Sequence, residues 1–90
     1  MDERKIEALR KKLEAVHEWP SQYMFKFIFP TNEETYLKVK QVFPEEAVFS
    51  SKESSGGKYQ SLTVIEMVMA SDTVFARYAD VSKIEGVVAL

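Results

Sequence analysis

Few residues of this chain have the means for chemistry. Lys26, Tyr59, Ser61 and Thr63 offer one ammonium and three hydroxyls, a set suited to gripping the carboxylate or phosphate of a small anionic metabolite. Close by in sequence, Ser54-Ser55-Gly56-Gly57-Lys58 can form a nest of backbone N–H groups around an anion, with Ser55 and Gly57 as candidate contacts, because paired glycines permit positive φ. Each has a plainer reading: a solvated or covered sheet face over which Lys26 snorkels, and an ordinary hairpin loop. There are no cysteines and one histidine, so thiolate nucleophiles, cysteine zinc sites and sites built from several imidazoles are excluded. His17 has no companion ligand or nucleophile and suits the negative end of a helix dipole, a structural role. No catalytic residue, metal or cofactor is assigned, and the chain reads as a non-enzyme.

Composition narrows the partners. Twelve Lys and Arg against fourteen Asp and Glu give a net charge of −2, which attracts neither phosphate backbones nor anionic membranes. Arg10-Lys11-Lys12 is interleaved with Glu7 and Glu14 and reads as a solvated helix face. Ninety residues, 46% of them hydrophobic and 29% charged, suit one small globular domain. The N-terminus, Met1-Asp2-Glu3-Arg4-Lys5, has no apolar run behind it, so neither a signal peptide nor a membrane span is expected and the default location is cytoplasmic.

The elements that must position these residues follow from periodicity. Ile6, Leu9, Leu13 and Val16 share one face of an amphipathic helix over Glu3 to Val16, the main part of an N-terminal segment 1–18 that precedes a domain over 19–90. Trp19-Pro20 ends it, and Tyr23 to Phe29 reads as a first strand. Thr31 and Glu34 fit a capping box for a second helix that buries Tyr36, Leu37, Val39, Val42 and Phe43 and stops at Pro44. Ala47 to Ser50 is a short strand entering the Ser/Gly loop, and Tyr59 to Met69 is a long one. Ser71-Asp72 caps a third helix through about Lys83, burying Val74, Phe75, Tyr78, Ala79 and Val81, and Val87 to Leu90 closes the chain as a strand. After the first helix the order is β-α-β-β-α-β, the α+β ferredoxin-like arrangement, with an antiparallel sheet in order 4-1-3-2 and both crossover helices on one face.

Alternation then sorts side chains between faces. Phe25, Phe27, Leu62, Val64 and Val68 turn toward the helices; Lys26, Tyr59, Ser61 and Thr63 lie on the open face with Met24, Ile28, Ile65, Met67 and Met69. That is more apolar surface than a solvated sheet carries, so the N-terminal helix, a second copy or a partner protein is expected to cover it, with Met24, Ile28, Ile65 and Met67 as candidate interface residues. Glu66 falls in phase with the core residues, so a β-bulge or a solvent-accessible edge position is expected there.

Over Trp19-Pro20-Ser21-Gln22-Tyr23-Met24-Phe25-Lys26, and again over Ser54-Ser55-Gly56-Gly57-Lys58-Tyr59-Gln60-Ser61-Leu62-Thr63, the chain resembles the YbeD-like family of small bacterial proteins of unknown function. The pattern is aromatic-Pro-x-x-aromatic-x-x-Lys followed by Ser-Ser-x-Gly-x-Tyr-x-Ser, and the likeness extends over roughly residues 17 to 90, with Tyr78 and Leu90 included. Trp19, Phe29 and Glu66 depart from it, where the family has Phe, a small residue and an apolar one. The resemblance implies a fold similar to ACT-type regulatory domains, which bind small ligands at strand edges or subunit interfaces; some members carry the label lipoate regulatory protein.

Three functional classes can be weighed. A non-catalytic ACT-like module binding a small metabolite or a partner protein, and self-associating as a homo-oligomer, accounts for the apolar face. An RNA-binding sheet platform has Tyr23 and Tyr59 to stack on but lacks the expected basic and aromatic string, and the net charge opposes it. An acylphosphatase-like enzyme of the same fold needs an arginine cradle after strand one, where Phe29-Pro30-Thr31-Asn32 has none.

Overall fold

A computed structural model describes residues 3–16 and 18–90, with the side chains of residues 3 and 14–16 outside the description. The roles expected of Val16 and His17 lie outside the described residues. The elements are α1 (Glu3–Val16), β1 (Ser21–Pro30), α2 (Glu33–Val42), β2 (Val48–Glu53), β3 (Tyr59–Val68), α3 (Ser71–Ser82) and β4 (Val88–Ala89). Three helices and one four-stranded antiparallel sheet make an α+β fold. The sheet order is β2-β3-β1-β4, compatible, read from its other edge, with the expected 4-1-3-2.

The period-two aromatics of β1 build the core. Phe25, Phe27 and Phe29 are buried against Leu62, Val64 and Val68 of β3, Val39 of α2, and Val74 and Val81 of α3. Phe43 joins them with its ring centroid 5.0 Å from Phe25 and 6.0 Å from Phe27. Burying one such side chain contributes about 1.5–3 kcal/mol, so this layer decides which sheet face the helices cover.

The β1–β3 ladder is continuous from Ser21 opposite Val68 to Pro30 opposite Tyr59. No bulge interrupts it, which corrects the expectation at Glu66. The carboxylate points into the helix layer, 6% exposed, and is satisfied there by Arg77 of α3, whose Nε donates to Oε1 at 2.9 Å and whose Nη2 donates to Oε2 at 2.8 Å. A bidentate charge-assisted pair meets the demand that a bulge would otherwise have relieved.

Several boundaries move for local reasons. Asn32, not Thr31, caps α2: its side-chain oxygen accepts the Thr35 N–H at 3.1 Å. Phe43 leaves the helix with φ −104° and ψ 154°, as a residue before proline must. The cap of α3 is Ala70, without a side-chain bond, and Ser71 is its buried first residue. Leu37 and Ala79, expected inside, are exposed. Strand β2 runs on to Glu53 despite its polar side chains, because the ladder to β3 needs only backbone groups and an edge strand leaves those side chains in water. Strand β4 is shorter than expected; past it the Leu90 N–H donates to the Lys26 carbonyl at 2.8 Å.

Helix α1 packs against α3 rather than across the open sheet face, which corrects one of the covers expected for that face. Arg10 of α1 pairs with Asp72 in the first turn of α3 and lies 5.7 Å from the Phe75 ring centroid. Among the described residues no helix is long and apolar enough to cross a membrane.

Candidate functional site

The ladders assign the open face row by row. One row carries Met24, Ile65 and Val48; the next Lys26, Thr63 and Ser50; the next Val88, Ile28, Ser61 and Lys52. Gln22 and Met67 lie at one end, Pro30 and Tyr59 at the other. Met24 (60%), Met67 (57%), Val48 (61%) and Val88 (56%) stand exposed beside half-buried Ile28 and Ile65. Met69, expected on this face, falls just past the end of β3 and is exposed.

Charge on this face is one-sided. Lys26 and Lys52 supply two ammonium groups, and among the described residues of these rows there is no Asp or Glu. Neither lysine has an ion-pair partner among the described residues. Acidic residues near these strands lie elsewhere: Glu53 shares a groove with Glu33 and Tyr36 on the helix side, Glu66 is inside, and Glu34 pairs with Lys38 on α2. An anionic group arriving at this face therefore meets attraction without a compensating carboxylate.

The sequence-derived residues are only partly brought together. Lys26 lies directly opposite Thr63, the spacing at which cross-strand side chains cooperate. Ser61 is one row on, opposite Ile28 and Lys52, and its Oγ donates to the Lys52 carbonyl at 3.3 Å. Tyr59 is two rows beyond Thr63, about 13 Å along the strand, and is 46% exposed. Ser55 and Gly57 are farther still, in the tip. There the Gly57 N–H donates to the Ser54 carbonyl at 2.8 Å, and the Tyr59 N–H to the Ser54 Oγ at 3.0 Å. The positive φ of Gly56 (86°) and Gly57 (70°) serves this closed turn. The candidate groups form a flat strip, not a concave pocket.

Tyr23, weighed as a stacking platform, lies on the helix side with its ring centroid 4.8 Å from Phe25 and 6.5 Å from Tyr78. Tyr59 is then the one aromatic that these rows present. Three residues were not anticipated from the sequence. Lys52 and Ser50 share the face because β2 continues past Ser50, and the signal was there in alternation from Val48 onward. Arg77 was equally unforeseen, although an acid in core phase at Glu66 calls for a cation from a neighbouring element.

The chain matches the family model described as "Protein of unknown function (DUF493)" over residues 14–90. It belongs to that family, which is the one its likeness to the YbeD-like proteins indicated. No curated protein and no solved structure gave a significant match.

Proposed function

We propose that the chain is a non-catalytic, ferredoxin-like binding module of the ACT-like regulatory kind, whose open sheet face docks a partner protein presenting acidic and apolar residues together. One observation carries the reading: among the described residues, apolar rows flank two lysines without ion-pair partners on a face whose rows hold no carboxylate, in a chain of net negative charge. Flatness favours a macromolecular partner over a small metabolite, since small-molecule sites are concave and bury most of their ligand. Exposed methionines adapt to a partner's contour at low cost. A single exposed tyrosine gives little support to the RNA alternative, which needs successive stacking surfaces.

A photo-crosslinking residue at Val48, compared with one at Lys38 on α2, tests this in cells. The expected result is a discrete adduct from position 48 only, abolished when Lys26→Glu is added. Equal labelling from both positions, or an adduct indifferent to Lys26→Glu, refutes the reading. An adduct of twice the chain mass identifies the partner as a second copy.

A further inference from the structure

On the other side of the sheet a cavity of about 580 Å³ opens between α1, α3 and residues 87–90. Packed helix interfaces leave few voids larger than a water molecule, whereas small-molecule sites span about 300–1,000 Å³. Leu9 and Leu90 line it and yet remain 44% and 65% exposed. The apolar stripe of α1 is thus docked on α3 without being sealed, and what would cover it is a molecule in the cavity.

The chemistry of the walls restricts that molecule. Phe75 and Ala79 continue the apolar lining; its polar side chains are two phenols, Tyr23 and Tyr78, and Ser82, whose hydroxyl is already spent on the Ala79 carbonyl at 2.7 Å. The two hydroxyls are 3.5 Å apart, well beyond the usual O–H···O distance of about 2.7–2.8 Å. Among the described residues this long contact is the only hydrogen bond of the Tyr78 hydroxyl, which leaves a partly buried donor in want of an acceptor. Burial, with a smaller contribution from Tyr23, raises the Tyr78 phenol above its ordinary value, so it stays neutral. No Lys or Arg lines the cavity among the described residues, and Arg10, one position from Leu9 on α1, is engaged by Glu7 at 3.9 Å and by Asp72.

We propose that this cavity binds an uncharged, largely apolar small molecule carrying one hydrogen-bond acceptor, its body beneath Leu9 and Leu90 and its acceptor on the Tyr78 hydroxyl. The site is separate from the open sheet face and stands independently of the partner reading. The test uses the full chain with N-phenyl-1-naphthylamine, a neutral apolar fluorophore, and with octanamide and octanoate as competitors. Saturable one-to-one binding is expected, displaced by octanamide and far less by octanoate. Ala79→Phe fills the cavity from an exposed position and should weaken the fluorophore at least about tenfold. Tyr78→Phe should weaken octanamide about three- to tenfold and leave the fluorophore unchanged. Amide and methyl NMR shifts on the unmodified protein keep the test independent of whether variants fold, and should centre on Leu9, Ala79 and Leu90. Absence of saturable binding, octanoate competing as well as octanamide, or shifts centred on Met24, Ile65 and Met67 overturns the proposal.

Discussion

Removing Arg77 and removing Glu66 break the same pair, and the structure makes the two changes unequal. The Glu66 side chain is 7% exposed, while Arg77 is 24% exposed and can swing its head into water on a long stem. In Arg77→Met a buried carboxylate loses its partner on the helix-covered face of the sheet, a change that costs about 3–5 kcal/mol. In Glu66→Leu the guanidinium escapes, so the cost should be about 0–2 kcal/mol, offset in part by an added apolar side chain in the core. The double variant removes both charges, and apolar replacement of such pairs is neutral or stabilising by about 1–4 kcal/mol. A domain of this length is stable by roughly 5–13 kcal/mol, so all three differences are measurable by urea unfolding monitored by circular dichroism. The expected order of stability is double variant at or above the wild type, then Glu66→Leu, then Arg77→Met. An Arg77→Met cost below about 1 kcal/mol, or a Glu66→Leu cost exceeding it, would refute the argument and mean that Glu66 reaches water.

Three further outcomes follow from named contacts. Asn32→Ala removes the cap of α2 and should lower stability by about 1 kcal/mol, read in the same urea titration; no change would assign the cap to Thr31. The Tyr78 phenol, raised chiefly by burial and then by Tyr23, contributes stability that is intact below about pH 10, the unfolded value, and lost as pH rises through the higher folded value. Thermal unfolding between pH 9 and 11.5 should therefore fall more steeply for the wild type than for Tyr78→Phe, by at most about 1.4 kcal/mol per pH unit, and parallel curves would contradict this. Met67→Glu replaces an exposed side chain on the open face, so stability should change by less than about 0.5 kcal/mol while light scattering shows any assembly through that face dissociating. An unchanged mass would exclude the face as the self-association surface.

Much of the architecture was legible along the chain because it is written in local periodicity. The alternation of Phe25 and Phe27, and of Leu62, Val64 and Val68, identified the buried face, which Phe29 extends, and the same period placed Lys26 opposite the core and near Thr63. Cap and stop chemistry located α2 and α3 to within one or two residues, erring at α2 where the neighbouring polar residues Thr31 and Asn32 compete for the same role, and at α3 where Ala70 caps through its backbone alone. The polar run Ser51 to Glu53 reads as loop from its side chains, yet pairing to β3 holds it as a strand.

What the sequence determined by itself was the set of elements, the buried faces of β1 and β3, the exclusion of cysteine sites and of sites built from several imidazoles, and membership of a recognisable pattern, since all of these depend on residue type and short-range spacing. Tertiary structure alone decided how Glu66 is satisfied, because its partner Arg77 lies eleven residues on, in another element. It also decided that α1 lies on α3 and leaves a cavity there, and that two lysines share a face whose described rows hold no carboxylate. The physical reason is the same in each case: charge pairing, cavities and surface fields depend on distances between elements, and those distances are set by packing rather than by position along the chain.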